Sequence, residues 1–156
     1  MSVKKKLEVT AEKIVAEARS PGQKASETAR WAHIMARWLI TRSGKAGVKW
    51  TLVAFGGKTG AESKGIVDIL AVRKNHKKMD GFERGDSFDI VLIQVKGGSA
   101  KPPSKRDRER LQAVAHYYHA KAIVLAVWKK GEELNLYRLE DGEWTKDPVD
   151  PSEIFG

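Results

Sequence analysis

One acidic residue stands alone in an apolar, strand-like run: Asp68, within Gly65-Ile66-Val67-Asp68-Ile69-Leu70-Ala71-Val72. A carboxylate in such surroundings is costly unless it is paired or binds a metal. A second apolar run, residues 88–96, closes on Gln94-Val95-Lys96. Alternation along a strand sends Gln94 and Lys96 to one side and Val95 to the other. Where the two strands pair as neighbours, a carboxylate, a carbonyl oxygen donor and an ammonium group meet at one sheet edge. Such a set suits hydrolysis of a phosphodiester, which needs oxygen ligands for Mg²⁺ and a cation that positions water or steadies developing charge. The same residues also fit a plainer arrangement, a buried Asp–Lys ion pair.

These groups need a scaffold, and the sequence patterns predict one. A short helix is expected over residues 10–18, with Thr10 as its N-cap and Ser20-Pro21-Gly22 as the break after it. A longer helix is expected over 25–41, where Trp31, Ile34, Met35, Trp38 and Leu39 recur at the spacing of one helical face and should face the core. Strands follow at 49–55, 65–72 and 88–96, with a polar loop at 73–87. A helix at 104–119 leads to a strand at 122–128, whose nearly continuous apolar character reads as fully buried. A hairpin over 134–144 turns at Asp141-Gly142. The expected fold class is therefore α/β, a mixed central β-sheet flanked by helices, with residues 88–128 forming a right-handed parallel crossover. Sequence repeats and low-complexity tracts are lacking. The five tryptophans read as core residues rather than as platforms for bases.

Length and charge bound the possibilities. At 156 residues, 41% hydrophobic and 31% charged, the chain reads as one globular domain over 1–156, with a basic N-terminal extension at about 1–9. The net charge of +9 is uneven: 27 Lys and Arg against 12 Asp and Glu in residues 1–130, then 2 against 8 in the hairpin and tail, 131–156. A basic body attracts polyanions, because each neutralised phosphate releases condensed counterions; the alternative is a solubility surface. No membrane association is expected, since no apolar run approaches the roughly 18 residues of a span. The absence of cysteine excludes disulfides and thiolate metal sites, and suits a cytoplasmic location.

The two runs around Asp68 and Gln94-Val95-Lys96 resemble the PD-(D/E)xK nuclease superfamily, with its restriction-endonuclease-like fold. The likeness is to archaeal Holliday-junction resolvases and to Mrr-type restriction endonucleases, and it extends over about residues 27–128. It implies a Mg²⁺-dependent endonuclease acting on DNA in repair, recombination or restriction, with Mn²⁺ able to substitute. The resolvase likeness adds a branched substrate and a homodimer, since two cuts on a symmetric substrate need two sites. Carried over, Asp68 and Gln94 become metal ligands, the main-chain carbonyl of Val95 a further ligand, and Lys96 the lysine that assists the attacking water. Most members carry an acid where this chain has Gln94, although the Mrr-type branch uses glutamine. A neutral amide removes one negative charge and should hold Mg²⁺ more loosely. Glu27, four residues before Trp31, is expected on the core-facing stripe and resembles the early-helix glutamate of these nucleases. Its alternative is a first-turn acid favoured by the helix dipole. Glu62 is a further candidate.

The loop at 56–65 does not make a P-loop, because Leu52 stands where the motif needs glycine and a strand follows. A basic loop beside the metal fits better, with Lys58, Ser63 and Lys64 on the DNA backbone. Lys101, Lys105 and Arg106 are the next phosphate contacts, followed by Arg108 and Arg110. His116 and His119 lie one turn apart, yet nothing nearby completes a metal site. The competing function is a nucleic-acid-binding module that keeps the fold without cleavage.

Overall fold

The computed structural model describes residues 20–47, 49–55 and 65–156. The helix expected at 10–18, the basic extension, and the loop carrying Lys58, Glu62, Ser63 and Lys64 lie outside them. Helix α1 (Pro21–Ser43) is followed by strands β1 (Thr51–Ala54), β2 (Ile69–Asn75) and β3 (Ser87–Gly97). Helix α2 (Lys105–Tyr117), strands β4 (Ala122–Trp128), β5 (Asn135–Glu140) and β6 (Glu143–Trp144), and helix α3 (Pro151–Phe155) complete the order. The six strands form one mixed sheet in sequential order. The pair β3–β4 is parallel, in register from Val91↔Ala122 to Gly97↔Trp128, and every other neighbour is antiparallel. This is the expected α/β class, a mixed sheet flanked by helices.

Alternation divides the sheet into two buried faces. Ile69, Ala71, Val91, Ile93, Val95, Val124, Ala126 and Leu136 form one cluster with Ala32, Ala36 and Ile40 of α1 and with Ile154 and Phe155 of α3. The intervening Leu92, Ile123 and Leu125 are buried on the opposite face, as is Leu111 of α2. At the turn between β5 and β6, Asp141 and Gly142 both have positive φ, 49° and 83°, the backbone that a two-residue type I′ hairpin requires.

Helix α1 corrects the sequence reading in two respects. It begins at Pro21 rather than near residue 25, because Ser20 and Gln23 form a capping box and Pro21 occupies the first turn. Its buried stripe is Ala32, Ala36 and Ile40, whereas Trp31, Ile34 and Trp38 are 46%, 41% and 51% exposed. The physical reason is clearance. A Cβ on Gly97 would stand 3.0 Å from the Thr28 carbonyl oxygen and 3.2 Å from the Ala32 Cβ, so backbone and sheet touch there. Only small residues fit under α1 at that distance, and the indoles turn outward. Trp50 alone among the described tryptophans is fully buried, so the reading of Trp31 and Trp38 as core residues does not hold. Gly97→Ala is accordingly expected to lower stability by about 1–3 kcal/mol through overpacking, read as a fall in melting temperature. An unchanged melting temperature would mean that α1 does not sit this close to β3.

Candidate active site

The register of β2 and β3 brings the three predicted residues together. Ile69 pairs with Ile93, so Asp68, one step further, stands opposite Gln94. The Asp68 amide donates to the Ile93 carbonyl at 3.0 Å, and its own carbonyl accepts from Phe55 at 3.0 Å. The half-buried Asp68 thus precedes β2 rather than lying within a strand, held on both sides by backbone. Its Oδ2 accepts a hydrogen bond from the Val95 N–H at 2.7 Å, taking the place of a strand carbonyl. Bonds of this charge-assisted kind are roughly twice as strong as neutral ones. The carboxylate is fixed at the end of β3.

Gln94 shares that neighbourhood and is only 7% exposed. Its Oε1 is buried and accepts no hydrogen bond among the described residues. A buried oxygen left in this state costs about 1–3 kcal/mol, so its orientation needs a reason beyond packing. Lys96, two residues on and half-buried, lies on the same face by alternation. The N-terminus of α2 approaches that face. Asp107 there is held below the ordinary carboxylate range, first by the hydroxyl of Ser104 and then by its N–H, with Arg110 and Lys96 adding favourable charge.

Around this centre the other predicted residues separate. Glu27 is exposed and lies on the solvent-facing stripe of Trp31, Ile34 and Trp38, which corrects its expected core-facing orientation. It nonetheless borders the site end of β3, because its neighbour Thr28 packs over Gly97 and Gly98. Lys101, Lys105 and Arg106 are exposed, the last two in the first turn of α2 beside Asp107. Arg108, expected on DNA, is occupied elsewhere: it donates to the carbonyls of Gly142 at 2.8 Å and Pro103 at 3.4 Å, and pairs with Glu143 at 2.8 Å. It ties α2 to the hairpin. Arg110 stands 3.6 Å from Asp107. His116 and His119 lie at the exposed end of α2, and among the described residues no three His, Cys, Asp or Glu side chains gather as a metal site. The Ser104–Asp107 capping box was legible as Ser-x-x-Asp but not read as part of the site.

A divalent cation of the Mg²⁺ class takes oxygen ligands. The Asp68 carboxylate and the Gln94 Oε1, which accepts no hydrogen bond among the described residues, fit that requirement. The chain matches no known family and no curated protein.

Proposed function

We propose that this chain is a metal-dependent endonuclease that hydrolyses phosphodiester bonds of DNA. The observation that carries the reading is the buried Gln94 Oε1, without a hydrogen bond among the described residues, at the position opposite Asp68 and with Lys96 on the same face. Asp68, Gln94 and the Val95 carbonyl would hold Mg²⁺ or Mn²⁺, with Glu27 able to add a second acid from the α1 side. A cation held there would supply polarisation of the phosphoryl oxygen and neutralisation of developing charge. The chain's own residues do the rest. The Val95 N–H holds the carboxylate of Asp68 in a fixed orientation. Lys96 donates a hydrogen bond to the attacking water and offsets the charge that grows on the phosphate. Lys101, Lys105 and Arg106 hold neighbouring phosphates as point charges. The resemblance to junction resolvases supports a branched substrate and a homodimer, and the absence of cysteine suits a cytoplasmic setting. Among the described residues no helix is long and apolar enough to cross a membrane.

A second reading is favoured by one observation, the neutral amide at position 94 where an acid would bind metal more firmly: a module that binds DNA without cutting it. Labelled linear, nicked and four-way-junction DNA incubated with Mg²⁺, Mn²⁺ or EDTA decides between them. Cleavage that disappears in EDTA is the expected result, and the favoured substrate reports resolvase or restriction behaviour. Tight binding with no cleavage under any metal would reject the nuclease and leave the silent module.

A further inference from the structure

The indoles that the packing of α1 turns outward form a surface with its own chemistry. Trp31, Ile34 and Trp38 are all at least 41% exposed on one stripe of the helix. Seven residues separate the two tryptophans, a rise of about 10 Å at about 1.5 Å per residue, or about three nucleotides at about 3.4 Å each. Beside them, α1 and β1 flank a shallow, open depression of about 870 Å³ bordered by Ile34, Arg37, Trp38, Arg42 and Lys49. The Arg42 guanidinium already lies over the Trp38 ring, 5.2 Å from its centroid. From Ser20 to Phe55 the chain carries six Lys and Arg and a single acid, Glu27.

We propose that this outer face of α1 and the depression beside it bind single-stranded nucleic acid, with bases stacked on Trp31 and Trp38 and phosphates against Arg37, Arg42 and Lys49. Flat aromatic faces beside a cationic groove are the features that hold unpaired bases without regard to sequence. A duplex keeps its bases stacked on one another and offers no ring to an indole. A second copy of this chain is disfavoured, because a twofold contact through this face would set two cationic stripes against each other. A membrane surface is disfavoured because the Arg42 guanidinium lies over the Trp38 ring, so a charge would have to enter the apolar layer with the indole. The stripe starts at Glu27, beside the Gly97–Gly98 end of β3, so a strand lying on it would run away from the candidate active site. The surface does not require cleavage and stands even if Asp68 and Gln94 bind no metal.

The test is fluorescence anisotropy of a short labelled oligothymidylate with the full chain in EDTA, where no metal-dependent step can occur. Binding is expected to fall at least about tenfold in the Trp31→Ala, Trp38→Ala double variant, and to be largely kept in Trp38→Phe, which retains a ring. The logarithm of affinity should fall against that of salt with a slope of about −2, from about 0.7 for each of three phosphate contacts. Circular dichroism should show both variants folded, because the side chains removed are half-exposed. Oligothymidylate bound equally well by the double variant, or not bound by the unaltered chain at low salt, would overturn the proposal. So would a double variant that loses only its adhesion to phosphatidylglycerol vesicles.

Discussion

Replacing Lys96 by alanine is expected to lower metal-dependent cleavage of DNA by about 10²–10³-fold, the usual cost of removing one donor aimed at charge that develops in the transition state. The melting temperature should barely move, because Lys96 is half-exposed and lies outside the apolar cluster. That separation makes Lys96 a sharper probe than Asp68. Asp68→Ala would remove a proposed metal ligand and also strand the Val95 N–H that now donates at 2.7 Å, costing about 1–3 kcal/mol of stability. Lost activity there would have two explanations. Gln94→Glu supplies the complementary result: a second carboxylate opposite Asp68 should let cleavage saturate at lower Mg²⁺, since each added negative ligand tightens the site. Measured side by side, the two variants should move in opposite directions. A Lys96→Ala protein that cuts as fast as the unaltered chain would end the assignment of this lysine.

What could be read in advance of the structure divides along a physical line. The meeting of Asp68, Gln94 and Lys96 was legible because strand alternation and pairing of neighbouring strands are rigid rules. Two positions of known parity need only a register to meet. The buried strand Ala122–Trp128 and the turn at Asp141-Gly142 were legible for similar reasons, continuous apolarity in one and positive φ in the other. The orientation of α1 was not legible, because hydrophobicity ranks tryptophan above alanine while the sheet accepts only what fits above Gly97. A size pattern, Ala32-x-x-x-Ala36-x-x-x-Ile40, competed with a hydrophobic one and prevailed. Arg108 fails differently. Composition cannot distinguish a guanidinium awaiting a phosphate from one held by the carbonyls of Pro103 and Gly142. The start signals Ser20-Pro21 and Asp150-Pro151 are each a cap followed by proline, but Ser20-Pro21-Gly22 carries the pattern of a break as well, and α3 is five residues long, too short to show a helical period.

That short helix carries the largest expected effect on stability. Phe155→Ala should destabilise the fold by about 3–5 kcal/mol, the range for removing a fully buried phenyl ring. For a chain of this length that corresponds to a melting temperature lower by roughly 6–20 °C. Phe155 is completely buried and meets Trp50 edge-on, with ring centroids 5.4 Å apart and planes at 86°. The contact is doubled by a hydrogen bond, since Trp50 Nε1 donates to the Phe155 carbonyl at 2.8 Å. Arg73 adds to the same junction: its guanidinium lies 4.4 Å from the Trp50 centroid, donates to the Gly156 carbonyl at 3.2 Å, and pairs with Asp89 at 3.0 Å. Trp50→Phe provides the internal scale. It keeps most of the apolar volume, loses the indole donor, and should cost only about 1–3 kcal/mol for the carbonyl left unbonded. Chemical denaturation of both variants should therefore rank Phe155→Ala well below Trp50→Phe. The reverse order, or a Phe155→Ala protein as stable as the unaltered chain, would mean that α3 is not docked against the sheet through Phe155.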